Sequence, residues 1–426
     1  MTYENTPAFA YELDEQDPQK VFRSQFHFPK RNGKDAIYFC GNSLGLQPKV
    51  TESYIQRELD CWKEHAVEGH FTGNTPWVSY HQLSKKSLSR LTGGLEHEVV
   101  SMNNLTTNLH LLLASFYQPS GKRVKLMIEG GAFPSDHYAA ESHMRRVGIS
   151  PEEHLITLTP ESGKTFTTEE IISAIRAHGE ELALVLFPGV QYYTGQYFDM
   201  KAISKAAHEV GAFAGFDLAH AMGNLPLTLH EDDIDFATWC SYKYVNSGPG
   251  GISGIFVHEK HGNNPNFPKL TGWWGHDTKT RFQMDNQFVP NPGVDGWMLS
   301  NMNIISAAAH LASLSIFDKT SMDELREKSI KLTGYLEYLL LNDPIAAKHI
   351  EILTPANPEE RGCQLSVFID KNGKAIFDGL IDAGVILDWR EPNVIRVAPT
   401  PLYNSFTDVW RFCDIFKQLI VKHAEK

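Results

Sequence analysis

Cysteine is scarce in this chain, with five residues among 426 and no pair at the C-x-x-C spacing. These residues are Cys40, Cys61, Cys240, Cys363 and Cys413. A disulfide framework or a cysteine-based zinc site is therefore not expected. His258 and His261 do not complete a zinc motif either, so we expect no metal. Scattered thiols in a chain of this length are typical of reduced, cytoplasmic proteins.

The chain also has no excess of positive charge and no long apolar run. The formal net charge is −12, which argues against a partner that is nucleic acid or an anionic membrane surface. No apolar run reaches the roughly 20 residues that a membrane span requires. The first residues, MTYENTPAFAYELDEQD, contain no basic segment followed by an apolar one. No signal peptide is expected, and the cytoplasm is the expected compartment.

From about residue 95, short apolar stretches alternate with stretches of helical periodicity. The stretches RVKLMIE, HLITLT and LALVLFPGV predict strands, and the last is apolar enough to be buried on both faces. Thr167 and Glu170 have the spacing of a capping box, which predicts a helix over 168–178. This alternation indicates an α/β fold with a mostly parallel, doubly wound sheet.

Three regions are expected along the chain. Residues 1–94 would be an N-terminal segment, with a helix over 78–92, that contributes to the active site and to a small domain. Residues 95–300 would form the large α/β domain. Residues 301–426 would hold a bridging helix and a small C-terminal α+β domain. The bridging helix is part of a long apolar helix expected over 297–317, so it begins slightly before residue 301.

The stretch from Phe213 to Gly254 organises the candidate site. It predicts one strand that ends at Asp217, a corner that carries His220, and a second strand that ends at 241–244 and includes Lys243. A surface lysine and an aspartate that caps a turn would explain either residue alone. Together, at the ends of neighbouring strands, they match what pyridoxal phosphate requires: an amine to bind its aldehyde and a carboxylate to keep its ring nitrogen protonated.

Three other features are weaker by themselves. Leu105 and Thr106 begin a helix, where free backbone N–H groups suit a phosphate, although ordinary N-capping by Asn104 or Thr106 is the favoured explanation of these residues alone. The loop from Phe133 to Asp136, which includes Ser135, combines an aromatic face, a hydroxyl and a carboxylate. Arg396 is a lone charge in the apolar strand NVIRVAP, and a buried arginine needs a carboxylate partner from the protein or from a substrate.

Eight segments together make the chain resemble the kynureninases, which are pyridoxal-phosphate enzymes of the aspartate-aminotransferase fold. These segments are GNSLGLQP, NLTTNLHLLL, FPSD, FDLAHAMGN, SYKYVNSGPGG, GWWGH, RFQMDN and RVAPTPLYNSF. The resemblance extends from about residue 37 to the C-terminus. It implies hydrolytic cleavage of the Cβ–Cγ bond of kynurenine or 3-hydroxykynurenine, which gives L-alanine and anthranilate or 3-hydroxyanthranilate. The implied pathway context is tryptophan catabolism and NAD biosynthesis.

The same resemblance implies a homodimer with shared active sites and a role for each site residue. Lys243 would bind the cofactor covalently and move the Cα proton, Asp217 would hold the ring nitrogen, and Tyr242 would move protons at the γ-oxygen and Cβ. Leu105 and Thr106 would hold the phosphate with Tyr242. The other cofactor-binding residues would be Phe133, Ser135, Asp136, His220, Trp273 and Asn301, of which Trp273 and Asn301 would reach the partner's cofactor. The substrate would be surrounded by Ser43, His70, His276, Asn301 and Arg396, with Arg396 on the α-carboxylate.

One departure from the family and two alternatives remain. The family often carries a hydroxyl residue where this chain has Pro188, which leaves one side-chain contact near the ring open. A cysteine-desulfurase-like lyase or an aminotransferase of the same fold would use the same Asp217, His220 and Lys243. A cofactor-binding regulator would need an added DNA-binding or partner domain, and no segment of this sequence predicts one.

Overall fold

A computed structural model describes residues 2–161 and 163–423. Its strands are β1 (Lys30–Arg31), β2 (Lys34–Asp35), β3 (Ile37–Tyr38), β4 (Val99–Ser101), β5 (Lys125–Glu129), β6 (Leu155–Leu158), β7 (Leu182–Pro188), β8 (Phe213–Asp217), β9 (Phe236–Trp239), β10 (Gly254–Val257), β11 (Ile350–Ile352), β12 (Leu365–Ile369), β13 (Val385–Ile386), β14 (Asp388–Arg390) and β15 (Val394–Val397). Its α-helices are α1 (Pro7–Gln16), α2 (Thr51–His65), α3 (Lys85–Thr92), α4 (Leu105–Phe116), α5 (Pro134–Arg146), α6 (Pro151–His154), α7 (Thr168–His178), α8 (Met200–Glu209), α9 (Glu259–Gly262), α10 (Ile304–Phe317), α11 (Met322–Leu341), α12 (Gly373–Asp382) and α13 (Phe406–His423).

The large sheet has the strand order β4-β10-β9-β8-β7-β5-β6. Neighbours from β9 to β6 run parallel, whereas β10 is antiparallel to both β9 and β4. All seven residues of β7 are buried, as its continuous apolar sequence predicts for a strand covered on both faces. The predicted mostly parallel α/β sheet is confirmed.

Helices cover both faces of this sheet. Along β5, Leu126 and Ile128 pack into one hydrophobic core, while Met127 between them packs into another. Successive side chains of a strand point to opposite faces, so these cores lie on opposite sides of the sheet. The core that includes Met127 also contains Ile171 and Ile175 of α7, and the opposite core contains Leu109 and Leu112 of α4. The fold is therefore doubly wound.

A second sheet, in the order β11-β12-β15-β14, is antiparallel. Its core includes residues of α11, α12 and α13. The N-terminal segment joins this unit, because β3 pairs in parallel with β13 and α1 packs against α13. This arrangement fits the expected contribution of residues 1–94 to a small domain, and the domain limits at residues 94/95 and 300/301 stay predictions. Every helix of the described residues is too short or too polar to span a membrane.

Three predicted elements differ in their limits. The strand β9 ends at Trp239 because the chain turns back, and the N–H of Ser247 donates to the carbonyl of Ser241 at 3.0 Å. The long apolar helix begins at Ile304, since the carbonyl of Leu299 accepts from the N–H of Trp274 and Asn303 caps α10. The helix expected over 78–92 is a 3₁₀ helix, Trp77–Ser84, followed by α3.

The capping box of α7 is confirmed. The Thr167 side chain accepts from the N–H of Glu170 at 3.3 Å, and the Glu170 carboxylate accepts from the N–H of Thr167 at 2.5 Å. Replacing Thr167 by Ala removes one partner of an otherwise unsatisfied helix N–H. We expect the Thr167→Ala variant to lose about 1 kcal/mol of unfolding free energy, measured by denaturant titration.

The matched control is Thr168→Ala, since Thr168 is the next residue and lies inside the helix rather than at its cap. This control should change the unfolding free energy by less than about 0.5 kcal/mol. Equal losses in the two variants would show that the cap bond contributes nothing specific.

Candidate active site

Two neighbouring parallel strands of the large sheet lead to the candidate site. The strand β8 ends at Asp217, which is paired with Thr238 of β9, and the turn after β9 carries Lys243. The carboxyl ends of parallel strands are where ligands collect in open α/β sheets. A cavity of about 360 Å³ lies at this edge, within the size range of small-molecule sites. The predicted residues that line it are Ser43, Leu105, Thr106, Phe133, Ser135, Asp136, Asp217, His220, Tyr242, Lys243 and Arg396.

The lysine amine lies beside a neutral histidine. The Nζ atom of Lys243 is 3.0 Å from Nε2 of His220 and 6.0 Å from the ring centroids of both Phe133 and Tyr242. Burial, followed by the positive charge of Lys243, lowers the pKa of His220 well below its ordinary value. The Nε2 atom of His220 therefore accepts a hydrogen bond from the lysine, which holds the amine in the cavity.

A pair of buried carboxylates lies next to this lysine. Asp217 accepts the N–H of Ala219 at 2.7 Å, and burial raises its pKa. Asp136 lies in the first turn of α5, where burial and then the charge of Asp217 raise its pKa well above the ordinary value. Because burial raises both pKa values, a positive charge beside Asp217 would favour its ionised form. A protonated pyridine nitrogen would supply this charge.

The start of α4 suits an anion. Leu105 and Thr106 are its first two residues and line the cavity. The side-chain oxygen of Asn104, at the cap position, accepts from the hydroxyl of Thr107 at 2.8 Å and makes no cap bond to a backbone N–H. The first N–H groups of α4, together with the helix dipole, are thus suited to a phosphate.

Phe133 supplies an aromatic surface between these groups. It is the residue before α5, its side chain is 48% exposed, and its ring meets that of Tyr192 edge to face at 5.3 Å. A planar ring can stack on such a surface. The amine, the carboxylate pair, the anion site and the aromatic surface together fit a phosphorylated pyridine aldehyde.

An arginine network forms a further part of the cavity wall. Arg396 of β15 is 1% exposed and faces Asp388 of the neighbouring strand β14. Its Nε donates to Oδ1 of Asp388 at 2.6 Å, and its Nη2 donates to the second carboxylate oxygen. Its Nη1 donates to the carbonyl of Tyr192 at 2.7 Å, and Nη2 also donates to the hydroxyl of Ser43 at 3.1 Å. The protein itself thus supplies a carboxylate partner for Arg396.

The turn that carries Ser43 is held against the lysine turn. The N–H of Gly45 donates to the carbonyl of Tyr242 at 2.8 Å. A Cβ atom at Gly45 would lie 2.4 Å from the carbonyl oxygen of Lys243, so only glycine allows this approach. The two turns therefore position Ser43 and Lys243 relative to each other.

Four predicted residues do not line the cavity of their own chain: His70, Trp273, His276 and Asn301. His70 and Trp273 belong to an aromatic patch formed by His70, Phe71, Phe282 and Trp273. Successive ring centroids in the patch are 6.2, 5.6 and 5.4 Å apart. Phe71, Phe282 and Trp273 are 59%, 54% and 45% exposed. Asn301 is exposed, whereas His276 is buried and accepts the N–H of Val289 at 3.0 Å.

Sequence reasoning missed several residues of the cavity wall, including Asn42, Tyr192, Cys240 and Arg390. It also missed Asp388, although a signal for it exists. Asp388 precedes Arg396 by eight residues, and an acid and an arginine on adjacent strands can form a cross-strand pair. No comparable pattern distinguishes Tyr192 or Asn42 from ordinary loop residues.

Comparisons with known proteins identify the family. A profile described as the kynureninase C-terminal domain matches residues 325–416. A kynureninase of Flavobacterium psychrophilum is 49% identical over 425 residues, which cover 99% of this chain and 100% of that protein. A kynureninase of Myxococcus xanthus is 50% identical over 412 residues, with 96% of each chain covered.

Solved structures with a similar fold are more distant in sequence. A cysteine desulfurase from Thermococcus onnurineus NA1 gives a TM-score of 0.74 at 16% identity and covers 91% of this chain and 95% of its own. A cysteine desulfurase from Escherichia coli gives a TM-score of 0.75 at 14% identity, with 95% and 99% covered. These structures establish the shared fold. The full-length identity near 50% shows that this chain belongs to the kynureninase family.

Proposed function

We propose that the protein is a pyridoxal-phosphate-dependent hydrolase that cleaves the Cβ–Cγ bond of kynurenine or 3-hydroxykynurenine. The products would be L-alanine and anthranilate or 3-hydroxyanthranilate, within tryptophan catabolism and NAD biosynthesis. The observation that carries the proposal is the identity of 49–50% to kynureninases along nearly the whole chain. The cavity supports it with a lysine, an anion site and a carboxylate pair around one space.

The residues around the cavity can hold the cofactor in one orientation. The bound cofactor supplies an electron sink for the bonds at the substrate Cα and Cβ atoms. Leu105 and Thr106 would bind its phosphate, Phe133 would stack on its ring, and Asp217 with Asp136 would keep its nitrogen protonated. Ser135 precedes Asp136 in the same helical turn, and its hydroxyl donates to the Asp136 carboxylate at 3.5 Å.

Two residues can move protons beside the cofactor. Lys243 would take the proton from the substrate Cα, and the neutral His220 beside it would accept a hydrogen bond without adding charge. Burial raises the pKa of Tyr242, which keeps its phenol protonated at neutral pH. A protonated phenol at the cavity wall is suited to donate a proton at the γ-oxygen or at Cβ.

The alternative of a cysteine-desulfurase-like lyase or an aminotransferase is not favoured. The similar desulfurase structures share only 14–16% of their residues with this chain, compared with 49–50% for the kynureninases. One structure of similar fold, 17% identical, is described as carrying glycine linked to pyridoxal phosphate, which supports the choice of cofactor for this chain.

We further propose a cytoplasmic homodimer whose active sites are shared. All five cysteines are free thiols, which suits a reducing compartment. Large exposed apolar surfaces mark interaction sites, and the aromatic patch contains Trp273, one of the two residues expected at the partner's cofactor. Its most exposed member is Phe71. The proposed division into residues 1–94, 95–300 and 301–426 places Lys243 and Arg396 in different domains, with the cavity between them.

Product analysis tests the proposed reaction. With kynurenine and pyridoxal phosphate, and without any keto acid, we expect anthranilate and L-alanine in equal amounts, measured by chromatography. The same assay with 3-hydroxykynurenine compares kcat/KM for the two substrates. The control is L-cysteine as substrate, which should yield no alanine. Turnover that requires a keto acid, or alanine formed from cysteine alone, would instead support an alternative enzyme.

Subunit exchange tests the shared site. We expect Lys243→Ala and Asn301→Ala each to be inactive, because each site would need Lys243 from one chain and Asn301 from the other. In a mixed dimer, one site carries both lesions and the other carries neither. Random exchange makes half of the dimers mixed, so activity should recover to about a quarter of that of the wild type.

The control for this experiment pairs Lys243→Ala with Asp217→Ala. Both residues line the cavity of one chain, so every site of this mixture has a lesion and no activity should return. If the Asn301→Ala mixture exchanges subunits and stays as inactive as this control, the sites are not shared through Asn301.

A further inference from the structure

Arg396 has little hydrogen-bonding capacity left for a substrate. A guanidinium has five N–H groups. Two of them bond the carboxylate of Asp388, one bonds the carbonyl of Tyr192 and one bonds the hydroxyl of Ser43. One N–H remains, on Nη1. A two-point contact to a substrate carboxylate would require Arg396 to give up a bond to the protein.

The charge of Arg396 is also already balanced. Burial raises the pKa of Asp388, but the hydrogen bonds and charge of Arg396 outweigh this and hold that pKa below its ordinary value. Asp388 is therefore ionised, and the pair has no net charge. A further cation beside this pair would favour the binding of a substrate anion at this end of the cavity.

Arg390 supplies such a cation. It is the last residue of β14, two positions after Asp388, and it lines the same cavity. Its Nη2 lies 3.5 Å from the carboxylate of Asp388, at the outer limit of a hydrogen bond, and its Nε is buried without a hydrogen-bond partner among the described residues. Its side chain is 37% exposed, so its position is adjustable.

Both arginines lie near one aromatic ring. The Cζ atoms of Arg390 and Arg396 each lie 6.0 Å from the centroid of the Tyr192 ring. With Asp388 they sum to one net positive charge, which matches a single carboxylate. The unused N–H of Arg396 and the free N–H groups of Arg390 can then bond the two oxygens of that carboxylate.

We propose that Arg390 is a second carboxylate-binding residue that, together with Arg396, selects amino-acid substrates over amines without a carboxylate. This proposal rests on the proposed function, because it assigns the α-carboxylate of the substrate to this end of the cavity. Arg390 determines specificity through binding, whereas Asp388 positions Arg396.

Binding of two small amines tests the proposal on the cofactor-loaded protein. L-Alanine and ethylamine share an amine and a methyl group, but only L-alanine has a carboxylate. Their dissociation constants are measured from the change in cofactor absorbance. We expect Arg390→Gln to weaken L-alanine binding by roughly ten- to a hundredfold, the effect of losing a charged hydrogen bond. Ethylamine binding should not change, and Arg390→Lys should restore part of the loss.

The control is Arg411→Gln, which removes an exposed arginine of α13. It should leave both dissociation constants unchanged. If Arg390→Gln affects both amines equally or neither of them, Arg390 does not bind the carboxylate and the proposal is wrong. This readout requires no bond cleavage, so a protein that fails to cleave kynurenine but discriminates through Arg390 would overturn the proposed reaction and not this inference.

Discussion

The candidate site depends on charge placed where water cannot screen it. Asp217 and Asp136 are buried side by side at the carboxyl edge of the sheet, and Lys243 is the cation beside them. Burial raises the pKa of both carboxyl groups, and the charge of Asp217 raises that of Asp136 further, so a positively charged ligand beside Asp217 would favour its ionised form. In the proposed function the ring nitrogen of pyridoxal phosphate provides this charge. In that proposal the carboxylates would select the protonated form of the cofactor, which is the form that withdraws electrons most strongly.

The fold brings the residues of this interaction to one edge of the sheet. Parallel strands β8 and β9 bring Asp217 and the lysine turn to one edge, and α4 and α5 begin at the same edge with the anion site and Phe133. The second sheet contributes the arginine network from β14 and β15. The cavity therefore lies between the two sheets. A relative movement of the two units would change the distance between Lys243 and Arg396, and with it the fit of an amino acid between them.

Local patterns in the sequence predicted the strands, the doubly wound sheet and the capping box at Thr167, because each depends on neighbouring residues. The eleven predicted site residues that line one cavity came from the pairing of Asp217 with Lys243 and from the resemblance to the family. The first residue of α10 was predicted wrongly, because the contact of Leu299 with Trp274 is tertiary. The sequence did not show that Asp388 occupies two N–H groups of Arg396, because hydrogen bonds between side chains depend on the folded geometry. His70, Trp273, His276 and Asn301 lie outside the cavity of their own chain, and a single sequence does not give the position of a second chain.

The central claim is that the buried carboxylate pair holds a positive charge on the bound cofactor. The most direct measurement is nitrogen NMR of the protein loaded with pyridoxal phosphate that carries an isotope label at its ring nitrogen. The chemical shift reports whether that nitrogen is protonated. Our account predicts a protonated nitrogen at neutral pH in the wild-type protein and a neutral nitrogen in the Asp217→Ala variant, because the nearest negative charge is then lost. A neutral ring nitrogen in the wild-type protein would contradict it.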